Sequence, residues 1–355
     1  MIVSVTEVAS YKRCRRQWTI NSRNRWGLTR LVPSRPLGLG TLVHAALGDW
    51  LELYKKGESM PEQGLAYLFL GHAQEAIDEA KSIYARQTGA VLSDSELAPY
   101  MEIIQMGFSM MNNYQKRWGR PVPDDFEVVS TEQRFQVPIP GTLHDREWVW
   151  EPADAGASSD IPQVRSKGWM VERVLDQPGY HYLEGRLDGI LQRRADGKLF
   201  TLEHKTYGQR PREDVLFAQD QFMGYHWGLL QLAAEMDLDP ALVAGVAYDG
   251  LWKRAAPPKS VDGHIGTLQD LFARRLITRP AQEIIEYEAF LAQIVTEMAN
   301  NPFPYINRTS DGSCFWACSD NQLCLGMSRG EDTDHRLRTE YRVKPPDEED
   351  EKDRG

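Results

Sequence analysis

Two strand-like runs meeting at one turn constrain this fold more than any other feature of the chain. Tyr182-Leu-Glu-Gly-Arg-Leu-Asp-Gly-Ile-Leu-Gln192 and Lys198-Leu-Phe-Thr-Leu-Glu-His-Lys-Thr206 flank Arg194-Ala-Asp-Gly197. An Asp-Gly pair between strand-like runs is a strong local signal for an antiparallel hairpin, because Gly accepts the positive φ of a tight turn. A side-chain period of two then puts Glu203 and Lys205 on one face and His204 on the other. Neighbouring strands lie about 4.8 Å apart, so Asp188 and Glu203 can converge on one point.

That placement carries chemistry. A buried Glu beside a Lys is costly unless it has a task, such as holding a divalent cation next to a water. Two carboxylates, waters and phosphate oxygens suit hard Mg²⁺ or Mn²⁺. Such a cation activates water and neutralises phosphate charge, while Lys205 can position the water or stabilise the transition state. A solvated strand with charges at i and i+2 fits the same Glu-x-Lys pattern, so it needs support from elsewhere.

Gln221 and Tyr225 stand four apart on the helix expected after this hairpin and point the same way. His44 opens a helix four residues after Gly40; it reads as a structural histidine or, as a third ligand, would favour Mn²⁺. The four cysteines, Cys14, Cys314, Cys318 and Cys324, are too few for a disulfide scaffold. Distributed one plus three, they can hold Zn²⁺ or an iron–sulfur cluster, or be unrelated core thiols. Their asymmetry leans toward a cluster tying the two chain ends together.

Charge is uneven. The formal net charge is −10. Residues 1–40 nevertheless carry Lys12, Arg13, Arg15, Arg16, Arg23, Arg25, Arg30 and Arg35 against the single acid Glu7. Trp18 and Trp26 interleave with these bases, the composition of a strand-binding groove or of a solvated basic face. No apolar run reaches the length of a membrane span and no secretory pattern opens the chain, so a cytoplasmic protein is expected. No Gly-x4-Gly-Lys-Ser/Thr sequence occurs, so a helicase motor would have to be a separate protein.

Along the chain, a short helix over 4–18 carries Cys14. Helices are expected from Thr41, over 63–86 and over 97–118, and a strand over 128–137. Residues 138–168 read as a loop or insertion. A helix over 213–236, a strand over 244–248, a helical segment over 265–277 and a helix from Pro280 to Asn300 complete the pattern. The acidic tail from Lys344 reads as disordered.

Taken in order, Cys14, Gly40-Thr-Leu-Val-His44, Gly185-Arg-Leu-Asp188, Glu203-His-Lys205, Gln221-Phe-Met-Gly-Tyr225, Cys314, Cys318 and Cys324 resemble the PD-(D/E)XK nuclease superfamily. The resemblance is to its RecB-like iron–sulfur branch, with the Cas-four-type CRISPR-associated exonucleases and the AddB-like and Dna-two-like nuclease domains. It covers the chain ends and about 180–250. Cys314 and Cys318 depart from the branch, being spaced Cys-x3-Cys where Cys-x2-Cys is common.

The resemblance implies an α/β fold: a restriction-endonuclease-like core with a small mixed sheet flanked by helices, a helical insertion, and an iron–sulfur clasp joining the termini. It implies Mg²⁺ or Mn²⁺ on His44, Asp188 and Glu203, with Lys205 as the catalytic lysine. Gln221 and Tyr225 would contact substrate and steady the site. The four cysteines would hold a [4Fe–4S] cluster, and Arg13, Arg15, Arg16 and Trp18 would line the DNA path beside it.

The expected organisation is an iron–sulfur and DNA-contact segment at 1–40, a helical region at 41–120, and a nuclease core at 121–300 with an insertion at about 138–170. A second iron–sulfur segment at 301–343 and a tail at 344–355 follow. The expected activity is metal-dependent exonuclease cleavage at DNA ends, chiefly single-stranded, with endonuclease cleavage open to the same chemistry. Its settings would be recombination, repair, phage DNA metabolism or CRISPR adaptation, in a bacterial cell or phage-infected host, alongside a separate helicase or adaptation protein. The rivals are a silent DNA-end-binding module and a zinc-stabilised scaffold.

Overall fold

The structure is a computed structural model describing residues 1–30, 38–61, 64–151, 162, 166–210, 212–217, 219–261, 263–301, 314 and 318–344. β1 (Ile2–Ser4) leads into α1 (Val5–Arg13), α2 (Arg15–Asn21) and β2 (Leu28–Arg30). Then come α3 (Leu39–Lys56), α4 (Leu65–Thr88) and α5 (Asp94–Trp118). β3 (Phe126–Pro138), β4 (His144–Glu151), β5 (Trp169–Gly179), β6 (Tyr182–Arg193) and β7 (Leu199–Tyr207) precede α6 (Glu213–Phe217) and α7 (Asp220–Ala233). β8 (Val243–Trp252), β9 (Ser260–Val261), β10 (His264–Ile265) and β11 (Phe272–Thr278) follow. The chain closes with α8 (Ala281–Asn300), α9 (Asn321–Arg329), α10 (Asp334–Glu340) and β12 (Tyr341–Val343).

The chain divides into two units. Among the described residues, one comprises those within 38–135 and 185–281. Its sheet runs β6-β7-β8-β11, with β3 also paired to β6. β6 and β7 are antiparallel, β7 and β8 parallel, and β8 and β11 antiparallel, so the sheet is mixed. α3, α4 and α5 pack around Val43, Leu47, Phe69, Met111 and Tyr114, all buried, and this core continues into Leu251 and Phe272 of the sheet.

Glycine is required at the start of β6 and within α7. A Cβ on Gly185 would lie 2.6 Å from the Phe135 ring, and one on Gly228 would lie 2.5 Å from it. The ring is seated between two residues without side chains, which explains the glycine of Gly185-Arg-Leu-Asp188 as packing.

The other unit comprises the described residues within 1–30, 136–184 and 282–344. Here β1 pairs in parallel with the first residues of β6, from Ile2 opposite Tyr182 to Ser4 opposite Glu184. Ser4 and Glu7 form a reciprocal capping box that starts α1. β2 and β12 pair antiparallel, Leu28 opposite Val343, so a backbone ladder joins the N- and C-terminal segments. Ile20, Trp26, Trp150, Leu323 and Leu337 bury a shared apolar cluster around that ladder.

Three expectations from sequence are corrected. Residues 272–278 form a strand, where the pattern suggests a helical segment over 265–277: the run pairs with β8 and buries Phe272 and Ile277 in the sheet, so tertiary pairing overrides a helical reading. The helix expected over 213–236 is broken into α6 and α7. Cys14 caps α2 in an extended conformation, so the helix expected over 4–18 is two helices meeting at that residue. Within the 138–168 loop the chain forms β4, paired to β5; residues 152–161 and 163–165, and the tail from 345, lie outside the described residues.

Candidate active site

The β6–β7 ladder ends at Gly189 opposite Leu202. One residue further on, the strands stop exchanging backbone hydrogen bonds and a side chain takes over. Asp188 Oδ2 accepts from the His204 backbone N–H at 2.7 Å. Its Oδ1 lies 3.1 Å from His44 Nδ1 on α3. The hairpin thus places Asp188 beside the Glu203-His-Lys205 stretch, as the register of the two runs requires.

Glu203 is 2 % exposed and its carboxylate lies 3.9 Å from Lys205 Nζ. Lys205 donates to Gln221 Oε1 at 2.8 Å, and Gln221 Nε2 donates to Tyr225 Oη at 3.0 Å. Gln221 and Tyr225 lie one turn apart on α7, so this helix holds the lysine through one relay. The face alternation of β7 is preserved: Lys205 turns toward α7, while the His204 ring sits 6.1 Å from that of His44, edge to face.

The two carboxylates are driven in opposite directions. Burial alone would raise Asp188, but His44 and the His204 amide outweigh it and hold Asp188 at about 2. Burial and the neighbouring Asp188 charge push Glu203 well above its ordinary value, and Lys205 offsets this only in part. One acid is therefore ionised and the other drawn toward its proton, an arrangement that a cation would relieve.

His44 Nε2 is buried and has no hydrogen-bond partner. The chemistry of an unpartnered imidazole nitrogen, an ionised Asp and a buried Glu suits Mg²⁺ or Mn²⁺. Among the described residues, no three of His, Cys, Asp and Glu form a ready-made metal cage.

The cysteines are placed as follows. Cys14 stands at the α1–α2 junction, Cys324 is on α9, and all four are partly buried. Arg16 of α2 reaches Cys324 Sγ at 3.7 Å and Ser328 Oγ at 2.7 Å. Residues 302–313 and 315–317 around Cys314 and Cys318 lie outside the described residues. Arg13 donates to Gln17 at 2.8 Å and Arg15 pairs with Glu297. Trp18 is 1 % exposed, edge-on to Tyr11 at 5.0 Å, so its ring is part of the core.

Sequence reasoning missed a second polar cluster behind the site. Asp249 Oδ2 on β8 lies 3.4 Å from His204 Nδ1 and 3.4 Å from Arg274 Nε, and it accepts from Tyr114 Oη. Arg274 also donates to Tyr114 Oη at 2.8 Å and to the Pro121 carbonyl at 2.7 Å. The available signal was an acid inside the apolar run of Val243–Trp252.

Comparison with protein families finds the PD-(D/E)XK nuclease superfamily over residues 2–324. No curated protein matches the chain.

Proposed function

The chain belongs to the PD-(D/E)XK nuclease superfamily, and from that premise we propose that it is a metal-dependent DNA exonuclease of the RecB-like iron–sulfur branch, acting on single-stranded ends. The convergence of Asp188, Glu203 and Lys205 at the point where β6 and β7 part carries this reading. Asp188, Glu203 and His44 would hold Mg²⁺ or Mn²⁺. Bound there, that ion would neutralise charge on the phosphate and lower the pKa of a coordinated water.

The remaining steps belong to this chain's own groups. Tyr225 fixes Gln221, and Gln221 Oε1 holds the Lys205 ammonium where it can orient water or meet negative charge at the phosphate. His44 and the His204 amide keep Asp188 ionised. Lys205→Ala should abolish cleavage of end-labelled DNA while leaving DNA affinity unchanged; retained cleavage would remove Lys205 from the mechanism.

We further propose that Cys14, Cys314, Cys318 and Cys324 hold a [4Fe–4S] cluster that clasps segments 1–40 and 301–343. The approach of α2 to Cys324 through Arg16 supports a shared site at these segments. Arg13, Arg15 and Arg16 are then the DNA contacts beside it, with Trp18 shaping the segment from within. Anaerobically purified protein should be brown, and Cys14→Ser should lose iron. Colourless protein containing zinc would contradict the cluster. Action on chromosomal or phage DNA, in the cytoplasm and beside a separate helicase or adaptation protein, is the setting this activity fits.

A further inference from the structure

β7 and β8 run parallel and end in register, with Tyr207 opposite Trp252. The connections that leave them, Gly208-Gln-Arg-Pro-Arg212 and Lys253-Arg-Ala-Ala-Pro-Pro-Lys259, carry five cations and no acid in a chain of formal net charge −10. They begin side by side. Lys253 N donates to the Tyr207 carbonyl at 2.9 Å, and Trp252 Nε1 donates to the Gly208 carbonyl at 2.9 Å. Arg210, Arg212, Arg254 and Lys259 are exposed. The Arg254 guanidinium stacks on Trp252, 4.6 Å from the ring centre.

This rim adjoins the candidate active site. At about 3.3 Å per strand residue, the carboxyl end of β7 lies about 7 Å beyond Lys205. The first acids after the two connections, Glu213 and Asp262, lie beyond the cationic stretches in sequence. The carboxyl ends of adjacent parallel strands are also where open α/β sheets bind ligands. Cations concentrated beside a phosphodiester-cleaving site, with a flat guanidinium–indole pair among them, match the repeating charge and bases of a nucleic-acid strand.

We propose that the rim formed by Arg210, Arg212, Lys253, Arg254 and Lys259 binds the backbone of the substrate DNA strand next to the scissile phosphate. The inference rests on the nuclease reading and deepens it by giving the strand a path within this unit. It adds a binding surface to the arginines already proposed in segment 1–40.

The test is the affinity of full-length protein for a fluorescein-labelled single-stranded oligonucleotide, measured by anisotropy in EDTA from 50 to 300 mM KCl. In the variant Arg210→Ala/Arg254→Ala/Lys259→Ala, affinity should fall on the order of tenfold at the lowest salt. The slope of log affinity against log salt should flatten by about 2, since each neutralised phosphate of a single strand adds roughly 0.7 to it. Arg210→Lys/Arg254→Lys, which keeps both charges, should keep the wild-type slope. Lys55→Ala/Lys56→Ala/Lys81→Ala removes the same charge from α3 and α4 and should leave the slope unchanged. Equal slopes in the wild type and the rim variant, with equal thermal midpoints, overturn the rim. An equal effect in the α3/α4 variant also overturns it, by showing a diffuse charge effect. Wild-type protein that binds through the rim but cleaves nothing in Mg²⁺ or Mn²⁺ overturns the nuclease reading and leaves the rim standing.

Discussion

Two buried carboxylates on neighbouring strands, Glu203 on β7 and Asp249 on β8, have opposite fates. Asp249 is 1 % exposed, yet Arg274, His204 and Tyr114 surround it. Burial pushes its pKa up, and those partners more than reverse the push, so it stays ionised. Glu203 is buried to the same degree, but it faces Lys205 at 3.9 Å on one side and the like charge of Asp188 on the other. The sheet therefore pairs the charge of one acid, through Oδ2 although its Oδ1 finds no hydrogen-bond partner, and leaves the other short of positive charge. Charge left unbalanced in one place marks Glu203 as part of the candidate site, and its charge-paired neighbour helps frame the strand.

Asp249 is where this contrast breaks most visibly. Asp249→Ala leaves Arg274 buried beside an empty position and should cost about 3–5 kcal/mol, measured as urea unfolding midpoint times slope. A loss below ~1 kcal/mol would mean that the cluster contributes little and that the contrast with Glu203 is one of geometry alone.

His226 on α7 sharpens it with a smaller effect. Burial, and then the nearby Arg279 charge, lower this imidazole to about 4. Its folded pKa is depressed, so the folded protein prefers neutral His226. Stability is complete above about pH 6.5 and is lost as pH falls toward 4, by an amount of roughly 3 kcal/mol. His226→Gln cannot take up the proton and should show a shallower decline over that window. Parallel declines in the two proteins would exclude His226 as the titrating group.

The smallest expected change has the opposite sign. The pKa of Glu203 is raised, so its stabilisation is present below about 4.5, the ordinary glutamate value, and is lost as pH rises through its folded range. Glu203→Gln should therefore raise the unfolding midpoint of metal-free protein at neutral pH, while Asp249→Asn should lower it. Destabilisation by both would show that Glu203 is satisfied after all.

Much of the site is legible in the sequence because it is local. The Asp-Gly turn and the period of two fix Asp188, Glu203 and Lys205 relative to one another, and helical spacing pairs Gln221 with Tyr225. His44 is harder. Its approach to Asp188 joins positions 144 residues apart, which no local period can show, and only the family resemblance suggests it. The Asp249 cluster has no local pattern, since Tyr114, His204, Asp249 and Arg274 come from four elements and meet through packing. Strand β11 escapes a sequence reading for the same reason: Phe272-Ala-Arg-Arg-Leu-Ile-Thr278 has no clear period, and pairing with β8 decides its form. Trp18 shows the converse error, in which an aromatic among arginines suggests a stacking surface and the ring is instead a core residue.

The most direct test of the central claim is degradation of end-labelled single- and double-stranded DNA by the wild type and by Glu203→Gln, each with Mn²⁺, Mg²⁺ or EDTA. Wild-type cleavage should require the divalent ion and fall on the order of 10³-fold in a Glu203→Gln protein that remains folded and binds DNA. Cleavage that persists in EDTA, or equal rates in the two proteins, would contradict the claim.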